Sequence, residues 1–336
     1  MATATCNAPD SGGSSFAKTY LKSGAGVLYA LLNTAAVAFA AQFMAWSSQA
    51  GIPGLQLIFL IKLVQLLVVL VALPFFRPKL TTENGRQTLL LVLSTIIENL
   101  GSAFLYLSFA FVVSGIAFGI IRGSVPFVSA CIGFLFLKET VGAVDCFGIV
   151  FTVAGVIVVA VGMITENTSS TRRLTTSILL PLATTFSKSS GIVIARSLIG
   201  VQKFSVLTVL FYANLAGAVV LLVVTYTTET PPVWSMSTQT VGYVIGLCLC
   251  ACCGQLATRL ALKTEKAGIT ATIKTFTIPL AMFLDYIFLS EFPSPVKFGG
   301  VVLIVFGTGV VAVYTWWRHR KETLHKNLME RLNFGN

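Results

Sequence analysis

Residues 134–161 read FLFLKETVGAVDCFGIVFTVAGVIVVAV, and this stretch predicts the fold most clearly. It consists of two apolar runs that a short polar segment around Lys138 and Glu139 separates. Spanning the hydrocarbon of a membrane takes about 20 mostly apolar residues, and a backbone crosses it only as a helix or in a closed barrel. Because the apolar runs are long and do not alternate with polar residues, the stretch predicts two membrane-spanning helices joined by a tight turn.

The whole chain has the composition of a membrane protein. Of its 336 residues, 55% are hydrophobic and 10% are charged, and the mean hydropathy is +0.87. A soluble domain carries roughly 25% charged residues. Hydropathy, together with the polar residues that separate the apolar runs, predicts ten spans with short connections, so that consecutive helices are antiparallel. The predicted spans are 24–46, 54–75, 87–109, 111–137, 144–163, 174–195, 204–226, 240–262, 267–289 and 297–317.

Residues 278–313 read IPLAMFLDYIFLSEFPSPVKFGGVVLIVFGTGVVAV, and they repeat the pattern of the first stretch. Each half of the chain therefore holds five spans, and because five is odd the second copy enters the membrane from the opposite side. Inverted repeats are the usual basis of alternating access, with the substrate near the membrane midplane. The matched positions are Gly115 with Gly268, Pro126 with Pro279, Lys138-Glu139 with Ser290-Glu291, Gly148 with Gly300 and Gly155 with Gly307.

The predicted fold class is an all-α membrane protein with ten transmembrane helices in two inverted five-helix repeats. Residues 21–165 form the first repeat, and residues 172–317 form the second. Residues 1–20 are rich in Ser, Gly and Ala. We expect them to be a disordered cytoplasmic tail and not a cleaved signal peptide. Residues 318–336 form a basic cytoplasmic tail.

The basic residues predict the orientation, because lysine and arginine favour the cytoplasmic side of membrane proteins. With both termini cytoplasmic, 15 of the 23 basic residues lie in cytoplasmic segments, and only Arg172, Arg173 and Lys297 lie on the other side. We therefore expect a multi-pass protein with both termini cytoplasmic, in the plasma membrane or a membrane of the secretory pathway. The sequon at Asn167 would then lie outside, where glycosylation and chance occurrence are both open.

The two quoted stretches resemble the ends of the two EamA-type repeats of the drug/metabolite transporter superfamily. The nearest branch is solute carrier family 35, group G, and the resemblance spans nearly the whole chain apart from the tails. It rests on a proline followed about a dozen residues later by Lys-Glu; the second copy keeps Glu291 but has Ser290 in place of the lysine. The resemblance implies ten helices, cytoplasmic termini and secondary transport by rocking of the two halves around a central cavity. It does not select the cargo.

Seven charged residues fall well inside the predicted spans, away from the span ends. Five are basic and two are acidic, which leaves the interior near +3. An ionised group at the centre of a spanning helix costs roughly 2.5–3.5 kcal/mol on the insertion scale if it faces lipid. We therefore expect these groups to face the bundle interior, where the excess positive charge favours an anion. They are Lys62, Glu98, Arg122, Lys188, Arg259, Lys274 and Asp285.

Arg122 is the first candidate for binding an anion. Its neighbours on the helix face include Gly119 and Ser129, and such small residues permit close approach. Pro126 removes one backbone hydrogen bond and loosens the helix beside the charge. Two different roles for Arg122 stay open: an ion pair with Glu98 that holds the third and fourth spans together, and snorkelling of the side chain to the interface.

The remaining candidates follow from their positions in the repeats. Lys274 lies in the corresponding helix of the second repeat, and Lys188 lies in a polar patch. Arg259 is expected to reach the cytoplasmic surface by snorkelling. The predicted roles are substrate binding for Arg122, Lys274, Lys188, Lys62, Tyr212 and Asn214, coupling or ion pairing for Glu98 and Asp285, and helix-breaking gates at Pro126 and Pro279.

The sequence argues against an enzyme. Both histidines, His319 and His325, lie in the C-terminal tail, and the chain has no HExxH or GxSxG motif. Four cysteines cluster at 248–253 in an apolar run without histidine, so we expect them to pack and not to bind a metal. We expect no catalytic residue, no cofactor and no nucleic-acid partner.

The predicted function is secondary transport of a small organic anion of the di- or tricarboxylate type, because several separate basic residues suit several carboxylates. One alternative is a nucleotide-sugar transporter, whose cargo also carries negative phosphate. Another is a membrane regulator that kept the fold and lost transport. The expected partners are the anionic solute and the lipid bilayer, and a homodimer is also open.

Overall fold

The computed structural model describes residues 12–111, 114–139, 142–166, 174–227, 232–289 and 294–333. Within these ranges every regular element is helical. A π-helical turn, Ser197–Val201, extends the sixth helix. The α-helices are α1 Gly12–Gln49, α2 Gly54–Phe76, α3 Gly85–Phe111, α4 Ser114–Leu137, α5 Ala143–Glu166, α6 Leu174–Arg196, α7 Val206–Thr227, α8 Thr238–Thr264, α9 Ala267–Lys274, α10 Thr277–Leu289 and α11 Pro295–Asn333.

Seven stretches of the described chain are long and apolar enough to cross a membrane. They lie in α1, α2, α3, α7, α8, α9 with α10, and α11. Two shorter apolar stretches, 121–137 and 143–159, lie in α4 and α5. This set of helices is that of a multi-pass membrane protein.

The ninth predicted span, 267–289, consists of two helices, α9 and α10, that separate just before Pro279. Pro279 has no N–H, so the carbonyl of Thr275 cannot receive the bond that another residue there would give. The N–H of Ile278 donates to Thr275 O at 2.9 Å instead, and the N–H of Thr275 donates to Thr272 O at 3.1 Å. These shorter-range bonds tighten the chain into 3₁₀-type turns at the break. Pro126, by contrast, lies inside the continuous helix α4.

Helices α5 and α11 approach closely through four glycines. A Cβ at Gly155 would lie 2.7 Å from Gly300 O, and a Cβ at Gly300 would lie 2.7 Å from Gly155 O. A Cβ at Gly307 would likewise lie 2.7 Å from Gly148 O. Small residues of this kind let two helix backbones approach each other in a membrane. The four glycines are the ones that the sequence repeat matches.

Most of the remaining large helix contacts join one half of the chain to the other. Helix α1 packs on α8, and α3 packs on α6. Helix α2 contacts both α7 and α8, while α7 also contacts α3, and α4 packs on α6 and α9. The two halves therefore interlock and do not form separate domains.

Turns and helix ends at one end of the bundle carry eight basic residues, and we call this the basic end. Here Thr208 Oγ1, at the start of α7, donates to Lys79 O at 2.9 Å, and Glu139 joins the end of α4 to α6 and α9. At the opposite end Trp46 meets Phe288 edge to face, with ring centroids 5.4 Å apart. The basic end carries Arg77, Lys79, Arg86, Lys138, Arg196, Lys203, Lys263 and Lys266.

Candidate functional site

Glu98 lies at the centre of an ion-pair cluster inside the bundle. Arg259 Nη2 forms an ion pair with Glu98 Oε2, and Lys62 Nζ lies 3.6 Å from Glu98 Oε1. The side chains of Arg259 and Lys62 are 7% and 9% exposed. Because the three residues belong to α8, α3 and α2, the cluster ties the two halves of the chain together. Burial of each charge is tolerable only because its partner is buried beside it.

Two amides complete the bonding of this cluster. Gln255 Nε2 donates to Glu98 Oε1 at 3.1 Å, and Lys62 Nζ donates to Asn214 Oδ1 at 3.3 Å. Asn214 Nδ2 in turn donates to Gln255 Oε1 at 3.3 Å, so these hydrogen bonds and the ion pair of Lys62 with Glu98 form a closed ring. On α7 a Cβ at Gly217 would lie 3.2 Å from Lys62 Cδ, so the glycine lets the lysine stem approach. A connected polar network of this kind holds its charges in fixed positions.

Lys188 lies beside this cluster on α6. Its Nζ donates to Ser102 Oγ at 3.1 Å, and Ser102 Oγ donates to Glu98 O at 3.0 Å. A Cβ at Gly101 would lie 3.4 Å from Lys188 Cδ, so α3 presents a small residue to the lysine stem. The hydrogen-bond partner of Lys188 is a neutral hydroxyl, which leaves its positive charge without a direct ion pair among the described residues.

Arg122 and Lys274 complete the group of interior cations. Both side chains are half-buried. Across the described ranges neither side chain makes a hydrogen bond or an ion pair. Lys274 is the last residue of α9, immediately before the helix break. The charges that act on it come from Arg122, Arg259, Lys188 and Glu98, so these side chains from four other helices face a common region.

Arg259 corrects the expectation that its side chain snorkels to the surface. The residue is 6% exposed and pairs with Glu98, because a buried carboxylate offers the guanidinium a partner inside the bundle. Gln255 and Arg259 are four residues apart and share one face of α8, and both reach Glu98. This i, i+4 pattern is the sequence signal that could have found them. In the described residues the carboxylate is bonded by Arg259, Lys62 and Gln255 and not by Arg122.

One predicted site residue, Tyr212, does not join the group. Tyr212 donates from its hydroxyl to Leu80 O at 3.4 Å and lines a groove of about 800 Å³ between α3 and α7 near the basic end. It lies two residues before Asn214 on α7 and therefore points away from the side of the helix that carries Asn214. The side chain of Asp285 lies outside the described residues.

The charged side chains of the interior group can bind an anion by electrostatic attraction. The group offers one guanidinium and one ammonium that have no partners in the described ranges, beside a paired cluster. Among the described residues, His, Cys, Asp and Glu side chains form no group of three or more that could hold a metal ion.

Comparison with known proteins agrees with this architecture. Residues 175–313 match the EamA-like transporter family. The fold also matches a solved crystal structure at 15% sequence identity, with a TM-score of 0.71 over 88% of this chain and 97% of the matched chain. At this identity the likeness shows the fold alone, and it extends into the first half of the chain, which the family match does not reach. The second half of this multi-pass membrane protein is thus similar to EamA-like transporters, which supports the drug/metabolite transporter superfamily.

Proposed function

We propose that the chain is a secondary transporter that moves a small organic anion of the di- or tricarboxylate type by alternating access. The observation that carries the proposal is the pair of cations, Arg122 and Lys274, that have no partner within the described residues. Beside them the interior holds three more basic side chains and one carboxylate, counted over the described side chains. A half-buried cation without a counter-ion is costly in a membrane protein and marks a substrate pathway.

The arrangement of the cations supports a substrate with more than one negative group. Arg122 comes from α4 and Lys274 from α9, so the two charges approach from different halves of the chain. A guanidinium binds a carboxylate with two parallel hydrogen bonds, and an ammonium binds a second one as a point charge. Lys188 and Lys62 add two further positive charges to the interior, where they donate to Ser102 and to Asn214.

Glu98 contributes by fixing the site and not by binding the anion. Its carboxylate is already engaged by Arg259 and Lys62, so it offsets part of the positive charge and positions the remainder. The proposal also includes a role of Glu98 or Asp285 in coupling transport to the movement of protons.

Alternating access rests on the inverted repeat, and the contacts between α5 and α11 support it. The sequence repeat matches Gly148 with Gly300 and Gly155 with Gly307. In the structure Gly148 opposes Gly307, and Gly155 opposes Gly300. Exchanging the two halves turns one contact into the other, as a pseudo-two-fold axis between the helices requires.

The distribution of charge supports cytoplasmic termini. Eight basic residues lie at the basic end, and this is the end that the positive-inside rule assigns to the cytoplasm. Membership of solute carrier family 35, group G, and residence in the plasma membrane or the secretory pathway belong to the same proposal.

The test is uptake by liposomes that contain the purified protein. We expect uptake of labelled citrate by the wild type and a loss of about tenfold or more in Arg122→Ala, the effect of losing a charge-assisted hydrogen bond. Lys79→Ala is the matched control, because that lysine side chain is 82% exposed and lies far from the interior group. Uptake of a nucleotide sugar in place of citrate would favour the alternative transporter, and equal citrate uptake by Arg122→Ala would remove the arginine from the site. A protein that moves neither solute would favour the regulator.

A further inference from the structure

Glu139, the glutamate of the Lys-Glu signature, lies just beyond the end of α4. Lys138 adopts a left-handed conformation with φ 53°, which turns the chain back on the helix. The N–H of Glu139 then donates to Gly133 O at 3.3 Å. The turn directs the Glu139 side chain across the basic end of the bundle.

The Glu139 carboxylate bonds to two elements of the other half of the chain. Arg196 Nε, at the end of α6, donates to Glu139 Oε1 at 3.0 Å. The N–H of Ala267, the first residue of α9, donates to Glu139 Oε2 at 3.1 Å. Arg196 Nη1 also donates to Leu262 O of α8 at 2.9 Å, so the guanidinium bridges α4 and α8. The side chains of Glu139 and Arg196 are 13% and 15% exposed.

At the same end of the bundle, α4 and α9 pack closely against each other. A Cβ at Gly268 would lie 2.8 Å from Ala130 Cβ, and a Cβ at Gly133 would lie 3.9 Å from Ala267 Cβ. Helix α4 packs on α9, whereas α10 is not among the helices that pack on α4 in the described chain. The half of α4 that ends at Glu139 is therefore in contact with the second repeat at the basic end of the bundle.

We propose that Glu139 and Arg196 form a latch that holds the basic end closed and opens once in each transport cycle. This role rests on the proposed transport function. A carboxylate at the start of a helix is stabilised by the unpaired backbone N–H groups there, and its pair with a guanidinium is stronger for being largely shielded from water. To open the basic end, α4 must leave α9, and both bonds of the carboxylate must then break.

Gly200 in the π-helical turn positions the arginine of the latch. A methyl group at Gly200 would overlap Arg196 Nη1. The guanidinium lies over this turn while its Nε and Nη1 reach Glu139 and Leu262. Gly200→Ala would therefore displace the guanidinium of Arg196 without removing any charge. The variant thus tests the position of the guanidinium separately from its charge.

Disulfide crosslinking measures the closed state independently of transport. The separation of 3.9 Å between Cβ positions at 133 and 267 matches the roughly 3.8 Å typical of a disulfide. We expect the full-length double variant Gly133→Cys/Ala267→Cys to crosslink on mild oxidation and to lose uptake until it is reduced. The single-cysteine variants are the controls, because the native cysteines remain in all of them.

The latch predicts how this crosslinking changes when the carboxylate is altered. Adding Glu139→Gln should raise the open-to-closed ratio about tenfold, the effect of losing one charge-assisted hydrogen bond, so the crosslink should form more slowly. Gly200→Ala should slow it in the same direction, and it remains informative if Glu139→Gln fails to fold. Equal crosslinking rates in the double-cysteine protein alone, with Glu139→Gln and with Gly200→Ala would overturn the latch. Failure of the wild type to move any anion would overturn the transport proposal and leave the crosslinking result intact.

Discussion

Glu98 neutralises part of a strongly positive interior. A single carboxylate pairs with Arg259 of α8 and Lys62 of α2 and accepts a hydrogen bond from Gln255 of α8. Removing one partner of a buried ion pair leaves the other as an uncompensated charge, and that is far more costly than losing an exposed pair. The stability of the interior group therefore depends on this residue more than on any one of its cations.

Glu98→Gln should lower the stability of the protein by about 3–5 kcal/mol, because Arg259 and Lys62 would stay buried without a negative partner. Thermal unfolding of the purified protein in detergent measures the change. Glu83→Gln is the matched control: Glu83 pairs with Lys79 at 3.0 Å on the surface, and its side chain is 64% exposed. The control should change stability by less than about 1 kcal/mol. Equal losses in the two variants would contradict the cluster.

The sequence can locate the interior cations but not their partners. An ionised side chain in an apolar run is conspicuous, so Arg122, Lys188 and Lys274 can all be found without a structure. Arg259 lies four residues from Lys263, and this proximity wrongly predicts a surface position for it. Its pairing with Glu98 depends on how α8 lies against its neighbours, which no local pattern in the sequence describes.

Helices α5 and α11 form the closest contact between the two halves. Gly155 and Gly300 face each other's carbonyl oxygens, and a Cβ at either position would be 2.7 Å from the opposing oxygen. Contacts of this kind are tolerant of nothing larger than hydrogen, since overpacking shifts the backbones. The sequence repeat identifies these glycines because their spacing recurs, although it cannot show that they oppose each other.

Gly155→Ala should destabilise the protein by about 1–3 kcal/mol, because the added methyl group overlaps the backbone of α11. Gly309→Ala on α11 is the matched control, because a Cβ there would have no heavy atom within 4 Å. In the control alanine should be neutral or stabilising by up to about 1 kcal/mol, since it is the better helix former. Thermal unfolding checks both. A neutral Gly155→Ala would show that α5 and α11 do not pack as described.

The break between α9 and α10 shows the limit of a pattern argument. Pro126 and Pro279 occupy matched positions, and the sequence predicts the same role for both. Only Pro279 lies next to a break, where Thr275 Oγ1 donates to Thr272 O at 2.6 Å and Thr277 Oγ1 donates to Lys274 O at 2.8 Å. These hydroxyls satisfy carbonyls near the break, and their contribution depends on side-chain geometry that the sequence does not reveal.

The molecule as a whole combines a closed basic end with a positive interior. Glu139 and Arg196 join the halves at that end, and Arg122 and Lys274 belong to the interior group. The predicted ten spans and their polarity follow from hydropathy and charge, because both are properties of long segments. The identity of the solute does not follow, since it depends on the shape of a site to which several helices contribute side chains.

Ligand-induced stabilisation tests the binding of an anion most directly, because it needs neither a driving gradient nor the correct orientation in a vesicle. The midpoint of thermal unfolding of the purified protein is measured against increasing citrate, with sodium chloride at matched ionic strength as the control. We predict that citrate raises the midpoint of the wild type, since a ligand at 100 times its Kd stabilises by about 2.7 kcal/mol, and that Lys274→Gln and Arg122→Ala each reduce the rise. A wild-type midpoint that citrate raises no more than sodium chloride does would contradict an interior built to bind an organic anion of this type.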